Sequence, residues 1–166
     1  MIEVQNLRKS FDNTEVLKGI STTFETGKVN LVIGQSGSGK TVFLKSLLNV
    51  YEPSEGHILF DGRDIVGMGR KEKEQLRSEI GTVFQGSALF DSMTVQDNIM
   101  FPLDMFTNLT FTEKKKRVRE VMGRVHLENA EKKFPSEISG GMQKRVAIAR
   151  AIVNNPKYLF CDEPNS

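Results

Sequence analysis

A glycine-rich loop in the first quarter of the chain has the residue types that hold phosphate groups. It fits the pattern G-x-x-x-x-G-K-[ST] at every fixed position, with Lys40 and Thr41 as its last two residues. Glycines let backbone N–H groups approach an anion, the lysine adds a positive charge at the β and γ phosphates, and the threonine hydroxyl can ligate Mg²⁺. The loop therefore predicts binding of a nucleoside triphosphate. Its residues are Gly34, Gln35, Ser36, Gly37, Ser38, Gly39, Lys40 and Thr41.

The segments that flank this loop are the ones that the phosphate-binding pattern requires. Residues 29–33 are an apolar run too short for a helix, so we expect a strand there. A flexible Gly/Ser turn is the alternative. A dinucleotide-binding loop fits less well, because Val42 stands where the third glycine of G-x-G-x-x-G would fall. The residues that share one face of the helix expected after the loop are Phe43, Leu44, Leu47 and Leu48.

Two carboxylates follow an apolar run near the other end of the sequence. Residues 158–161 predict a central parallel strand, and Asp162 and Glu163 come directly after it. Asp162 can hold Mg²⁺ through water, and Glu163 can act as a general base on an attacking water. Taken alone, the pair is equally compatible with an acidic turn after a strand. Beside a phosphate loop, it indicates triphosphate hydrolysis.

A third candidate site lies at the start of a predicted helix over residues 140–153. Ser139, Gly140 and Gly141 combine a hydroxyl with two glycines, which could form a backbone cradle for an anion. A helix-entry turn is the alternative for these three residues. We expect Met142, Val146, Ala149 and Val153 to form the buried stripe of this helix.

The remaining elements are predicted from periodicity. Alternating residues 2–7 and 16–24 indicate two strands joined by a turn at Asp12 and Asn13. Helical spacing prevails between residue 86 and Pro156. Its clearest element has a capping-box pattern at Thr110 and Glu113, and its basic run is best interpreted as a solvated helix face rather than a nucleic-acid site.

These motifs, in this order, resemble the ABC transporter ATPase family over essentially the whole chain. The order is the phosphate loop, then Gln85 after an apolar strand, then Ser139 with its two glycines, then Asp162 with Glu163. The resemblance implies an α/β fold: a P-loop NTPase (RecA-like) core with an antiparallel β edge and an inserted α-helical lobe. The implied division is an ATP-binding core at 1–85, a helical lobe at 86–155 and a return to the core at 156–166.

The same resemblance implies roles for individual residues and a dimer. Two ATPase subunits would pair head to tail as a homodimer, with Ser139, Gly140 and Gly141 facing the ATP held by the partner's loop. Gln85 would contact Mg²⁺ or the attacking water, and Phe11 would stack on adenine, with a core phenylalanine as the alternative. The family usually has Leu first and Gln fifth in this signature.

This chain departs from that signature at two positions. Ile138 and Met142 stand at its first and fifth places, and Gln143 follows one place later. The resemblance therefore does not carry over a glutamine side-chain contact with nucleotide, while the glycine cradle is unaffected.

The stretch over residues 84–99 and the Gly-Gly-Met that follows Ser139 are similar to ATPases of Mla and Mce-type lipid transport systems. The resemblance implies docking of a transmembrane permease subunit, with ATPase activity at the cytoplasmic face of the inner or plasma membrane and phospholipid as the transported class. Leu89, Phe90 and Met93 would offer it an apolar surface, or they could pack inside the helical lobe.

Composition excludes several other classes of function. A formal net charge of +2, from 23 basic and 21 acidic residues, gives no sign of a nucleic-acid partner. The one cysteine, Cys161, excludes an internal disulfide and is expected to be buried. No apolar run approaches the roughly 18 residues of a membrane span.

Three rival functions share some of these motifs. A DNA-repair or chromosome-structuring ATPase would need sustained heptads between Lys40 and Ser139, which are absent, and a translation-factor ATPase would need a second cassette.

The family also continues past residue 166 with a histidine that contacts the γ-phosphate, and neither His57 nor His126 stands in that place. We therefore expect a shortened chain that binds ATP, and a non-hydrolysing module remains the third alternative.

Overall fold

The computed structural model describes residues 1–162. The chain divides into two compact units, Met1–Lys73 and Glu74–Ser166. The first contains β1 (Ile2–Phe11), β2 (Thr14–Phe24), α1 (Lys40–Leu47), β3 (Glu55–Phe60) and β4 (Arg63–Asp64). The boundary falls within α2 (Arg70–Ser78). The second contains β5 (Ile80–Val83), α3 (Val95–Phe106), α4 (Phe111–Arg124), a short 3-10 helix (Pro135–Glu137), α5 (Gly140–Ile152) and β6 (Tyr158–Cys161).

An antiparallel sheet forms the body of the first unit. Its strand order is β2-β1-β3-β4, and β1 joins β2 through the predicted two-residue turn, at which Phe11 pairs with Thr14. Asp12 takes a left-handed conformation there, with φ of 49°, which Asp tolerates better than most residues. The core side of the sheet comes from the alternating apolar residues of its strands, which include Val4, Leu7, Leu17, Ile58 and Phe60.

The strand expected at residues 29–33 does not form. The segment has no strand assignment, and none of the strands in residues 1–162 is hydrogen-bonded to it. Val29, Leu31 and Ile33 are 101%, 82% and 81% exposed. A strand needs a neighbour to pair its backbone groups, so apolar sequence alone was not sufficient here.

Helix α1 follows the phosphate loop, as predicted. Phe43 and Leu47 are buried on the predicted apolar face. Ser46 is also buried, and its hydroxyl is satisfied because it donates to the Val42 carbonyl at 2.9 Å. The ring of Phe43 lies 6.2 Å from that of Phe24 in β2, measured between centroids. This contact fixes the helix, and with it the end of the loop, against the sheet.

In the second unit a pair of parallel strands packs against the last helix. Ile80 of β5 pairs with Tyr158 of β6, and Val83 pairs with Cys161. Helix α5 lies against β5 so closely that a Cβ added at Gly81 would be 2.2 Å from the Ala151 carbonyl oxygen. A glycine is thus required at this contact between strand and helix.

Helices α3, α4 and α5 share one apolar core and together form a helical lobe. Each presents a stripe of fully or nearly buried side chains, and Met142 of the predicted α5 stripe is only partly buried at its margin. The central members of this core are Val95, Ile99, Leu103, Val118, Val121, Met122, Val146 and Ala149.

Strand β6 differs from the prediction in its surroundings. Within residues 1–162 it pairs with β5 alone, so it is not a central strand, and Leu159 is 52% exposed. Cys161, expected to be buried, is exposed, although partial desolvation of its thiol raises its pKa. None of the helices in the described part of the chain is long and apolar enough to cross a membrane.

The capping box of α4 forms as predicted, and Thr110→Ala tests what it contributes. The Thr110 hydroxyl accepts from the Glu113 N–H at 3.4 Å, and the Glu113 carboxylate accepts from the Thr110 N–H at 2.7 Å. We expect the substitution to lower the free energy of unfolding by about 1 kcal/mol. Thr112→Ala, at an exposed position in the same helix turn, is the control for chemical denaturation and should leave that free energy nearly unchanged.

The effect of Thr110→Ala should depend on pH. Hydrogen bonds from the Thr110 side chain and then its backbone lower the pKa of Glu113. A carboxyl whose pKa is lowered by folding stabilises the fold above its ordinary pKa and loses that contribution as pH falls through the folded-state value. The difference between wild type and variant should therefore shrink in acid, and a difference that grows there would contradict the assignment.

Candidate functional site

The phosphate loop of the first unit leads directly into the N-terminus of α1. Gly39 is the residue before the helix and has φ of 93°, and Gly37 has φ of 77°, conformations that side chains other than glycine seldom adopt. The Ser38 N–H donates to the Gln35 carbonyl at 3.2 Å and closes a turn in the loop. No side chain caps α1, so the first N–H groups of the helix have no side-chain acceptor.

The Lys40 side chain folds back over this loop. Its ammonium donates to the Gly34 and Gln35 carbonyls, at 2.8 Å each. The exposed Thr41 hydroxyl belongs to the same first turn, which contains no acidic residue. A cation, uncapped helix N–H groups and an absence of nearby negative charge on α1 are features that favour an anion of several negative charges.

Phe11 lies at the end of β1 in the first unit and is not a core residue. Its ring is 37% exposed and makes an edge contact with Tyr51, with centroids 5.2 Å apart. The Lys9 ammonium is 5.1 Å from the ring centroid. Phe11 is thus partly accessible at the surface, as an aromatic side chain that stacks on a ligand must be.

In the second unit, Gln85 and Asp162 follow the carboxyl ends of the paired strands β5 and β6. The strands are parallel, and the Asp162 N–H donates to the Val83 carbonyl at 2.9 Å, so the two side chains belong to the same edge of this small sheet. Gln85 is exposed. Glu163 lies outside the described residues. No group of three or more potential metal ligands of the types His, Cys, Asp and Glu occurs within residues 1–162.

The Ser139 motif forms an open helix start. The Ser139 hydroxyl accepts from the Met142 N–H at 3.3 Å, and a Cβ built at Gly140 would meet nothing within 4 Å. Gln143 donates its side-chain amide to the Pro135 carbonyl at 2.9 Å, which anchors the helix to the preceding turn. The glutamine is therefore engaged within the fold, while the backbone of the two glycines is accessible.

The second unit has a groove of about 270 Å³, and some of the residues that line it, such as Phe84 and Ala88, are close to Gln85 in sequence. Phe90 is 40% exposed beside it, Leu89 packs against the helical core, and Met93 is partly buried. The sequence left open whether these residues form a docking surface or pack inside the helical lobe. The structure gives a different answer for each: Leu89 is largely a core residue, and Phe90 is available at the surface. Other apolar residues along the groove include Phe84, Phe101, Pro102, Met105 and Phe106.

Two polar residues that the sequence did not single out hold the segment after Gln85. Asn98, fully buried in α3, donates to the Phe90, Met93 and Thr94 carbonyls at 3.0–3.1 Å and accepts from the Phe90 N–H at 2.9 Å. Arg150 of α5 donates to the Ala88 and Ser87 carbonyls at 2.9 and 3.0 Å. An asparagine within an apolar helical stretch was the one available signal for the first of these.

The chain belongs to the ABC transporter family. The sequence profile of that family, described as "ABC transporter", matches residues 17–166. Together with the α/β elements described above, this establishes a P-loop NTPase fold with an antiparallel sheet and a helical lobe, and members of the family are ATPases coupled to transport.

The named relatives of the chain are also ATP-binding proteins of transport systems. The chain is 44% identical to a probable ribonucleotide transport ATP-binding protein, mkl, of Mycobacterium tuberculosis over 99% of its own length and 46% of that protein. It is 39% identical to methionine import ATP-binding protein MetN 2 of Pseudomonas entomophila, over 100% of its length and 51% of that protein. The chain thus spans about half the length of the curated relatives it matches.

Solved structures give the same result for the fold. The ATP-binding cassette MJ0796, described as a dimer in a post-hydrolysis state bound to ADP and Pi, superimposes with a TM-score of 0.90 at 30% identity, over 99% of this chain and 75% of that one. The cbiO1 protein of Clostridium perfringens, described as part of the cbiONQ transporter complex, gives 0.86 at 34% identity, over 98% and 65%.

Proposed function

We propose that this chain is the nucleotide-binding part of a transporter ATPase, which binds Mg-ATP at residues 34–41 and drives transport through a membrane partner. The observation that carries the proposal is the geometry at Lys40: an ammonium on the loop carbonyls, at the start of a helix whose first N–H groups lack a side-chain acceptor. A bound triphosphate would accept hydrogen bonds from the Lys40 ammonium and, at the same time, from those helix N–H groups.

The donor set suits Mg²⁺ bound with the nucleotide. The residues proposed as ligands are Thr41 with its hydroxyl, Asp162 with its carboxylate and Gln85 with its amide oxygen, and each is a hard oxygen ligand of the kind that Mg²⁺ prefers. Few protein ligands are needed, because Mg²⁺ keeps several waters and binds phosphate oxygens. When bound, the ion would neutralise charge on the β and γ phosphates. Glu163 is proposed as the general base and Gln85 as a second contact to the attacking water.

The glycine cradle at Ser139, Gly140 and Gly141 is proposed to bind the γ-phosphate held by a second subunit. Its hydroxyl and open backbone lie at the start of a helix without acidic residues in the first turn, which favours an anion. A head-to-tail homodimer would supply that anion from the partner's phosphate loop. The dimer described for the MJ0796 cassette supports this arrangement. The division into 1–85, 86–155 and 156–166 stays a proposal alongside it.

The membrane partner is proposed to dock in the groove beside Phe90. A short amphipathic helix of a permease would place apolar side chains against Phe84, Phe90 and Met105, which are 41%, 40% and 55% exposed. That partner would hold the ATPase at the cytoplasmic face of the membrane. The cbiO1 protein's place in a transporter complex supports a partner of this kind.

Lipid transport is proposed only from the resemblance of residues 84–99 and of the Gly-Gly-Met that follows Ser139. The names of the relatives point to other cargo, namely ribonucleotides, methionine and, for PotA of Nitrosospira multiformis at 42% identity, spermidine and putrescine. Because cargo is selected by the membrane subunits, these names do not fix the substrate of this chain. Identification of the permease would.

Titration with Mg-ATP and with inorganic triphosphate tests the nucleotide site. Wild type should bind both, and Phe11→Ala should weaken Mg-ATP about tenfold, since base stacking is lost, while triphosphate binding is unchanged. Phe134→Ala, at an aromatic residue 41% exposed in the other unit, is the control. Absence of Mg-ATP binding by wild type would exclude the proposal. Co-purification with ribosomes or DNA instead of a permease would contradict the proposed role in transport.

A further inference from the structure

The backbone immediately after Gln85 is strained. Gly86, Ser87 and Ala88 have φ of 73°, 65° and 43° in succession. Glycine adopts positive φ values freely, but the Cβ of Ser and Ala disfavours them. Among residues other than glycine, Asn and Asp are the ones that most often adopt a positive φ. Conformations of this kind persist only where the surrounding structure holds them in place.

The Arg150 side chain supplies that restraint. Its two terminal nitrogens each donate to one carbonyl of the strained residues, Nη1 to Ala88 at 2.9 Å and Nη2 to Ser87 at 3.0 Å. The planar guanidinium fits two adjacent acceptors, which a lysine ammonium on a flexible stem does not. Partial burial lowers the pKa of Arg150, yet the group stays charged far above neutral pH.

The same guanidinium also lies against the apolar groove. Its Cζ atom is 5.8 Å from the centroid of the Phe90 ring, and that ring packs on Phe101 with centroids 4.9 Å apart. Arg150 is part of α5, the helix that begins at Gly140. One side chain therefore contacts the strained loop and the groove residue Phe90 while being fixed to the helix of the Ser139 motif.

We propose that Arg150 is a positioning residue that ties the loop after Gln85 to helix α5 and so fixes where the Gln85 side chain is presented. This role rests on the proposed function, because it matters to turnover only if Gln85 contacts Mg²⁺ or water. The second restraint on the segment, Asn98, acts further along the chain at Phe90 to Thr94. Arg150 thus holds the backbone two and three residues after Gln85 from another element, helix α5.

The test compares Arg150→Lys with Arg145→Lys, a matched change on the same helix at an exposed residue that donates to the His126 carbonyl at 3.3 Å. In Arg150→Lys, amide hydrogen exchange over residues 86–90 should rise about tenfold, because two charge-assisted hydrogen bonds are lost. The kcat for ATP should fall about tenfold with KM within about twofold, since Lys40 and its loop are untouched. Arg145→Lys should change neither quantity.

A second substitution separates loop geometry from general damage. Adding Ala88→Gly to Arg150→Lys removes the Cβ that opposes positive φ, so we expect kcat to recover about threefold. Unchanged exchange in Arg150→Lys would overturn the proposal, and so would faster exchange with unchanged kcat, or a loss of kcat that Arg145→Lys reproduces. If wild type itself fails to turn over ATP, the proposed function fails and the role in turnover with it, while exchange still decides whether Arg150 holds the loop.

Discussion

Replacement of Lys40 by Ala should abolish ATP turnover and weaken Mg-ATP binding at least about 100-fold, or roughly 3 kcal/mol. The lysine ammonium lies on the loop's own carbonyls, at 2.8 Å from each, and α1 has no side-chain cap hydrogen bond at its start. Without it, the β and γ phosphates would keep the backbone donors but lose their charge-assisted bonds. Calorimetric titration measures the binding loss directly.

The matched control is Lys28→Ala, which removes the same charge from the same unit. Lys28 is exposed and pairs with Glu25 at 3.5 Å, a surface pair of small energetic value. Its affinity for Mg-ATP should stay within about twofold of wild type. Equal losses in the two variants would show that net charge, rather than the loop, attracts the nucleotide.

Glu163→Gln should separate binding from chemistry. If Glu163 is the general base, the amide keeps the shape of the side chain while turnover falls about 100-fold or more, and Mg-ATP still binds. Glu128→Gln, at an exposed residue of the second unit, serves as its control. Undiminished turnover in both Lys40→Ala and Glu163→Gln would refute the site assignment as a whole.

Replacement of Gly81 by Ala should be the most damaging single methyl addition to the second unit. The new Cβ would lie 2.2 Å from the Ala151 carbonyl oxygen and 3.0 Å from Cγ of Pro156. The first neighbour is backbone, so strand β5 and helix α5 must separate. We expect a loss of about 3 kcal/mol in the free energy of unfolding, which is a fall in Tm of roughly 6 to 12 °C.

Gly123→Ala provides the comparison for this prediction. Gly123 lies in helix α4, and a Cβ there would meet nothing within 4 Å. Alanine should be neutral or stabilise the helix by up to about 1 kcal/mol. Thermal denaturation of the two variants by circular dichroism should therefore give shifts of opposite sign or very different size, and similar shifts would mean that the strand-helix contact is not close.

Local sequence signals predicted the elements whose causes are themselves local. The turn at Asp12, the capping box at Thr110 and helix α1 after the loop all formed where expected, since each depends on residues a few positions apart. Residues 29–33 and Cys161 were wrong because burial and strand pairing depend on neighbours remote in sequence.

The candidate site divides in the same way. The phosphate loop was recognisable because its glycines, lysine and threonine are contiguous. Arg150 was not, since an arginine on a helix is ordinarily a solvated residue and its two acceptors are more than sixty residues away in sequence. Residues that act on a site through the backbone of another segment leave no spacing pattern to read.

The position of Lys40 sets a threshold for what can occupy the loop. Two of the three N–H donors of its ammonium go to loop carbonyls at 2.8 Å, so one donor remains for an anion, and the other two must leave the carbonyls before a phosphate can accept from them. A single phosphate brings few new contacts and exchanges one set of bonds for another, whereas a triphosphate adds contacts along the whole loop. The two loop carbonyls thus compete with a bound anion for the ammonium, which should favour a longer polyanion over abundant small anions.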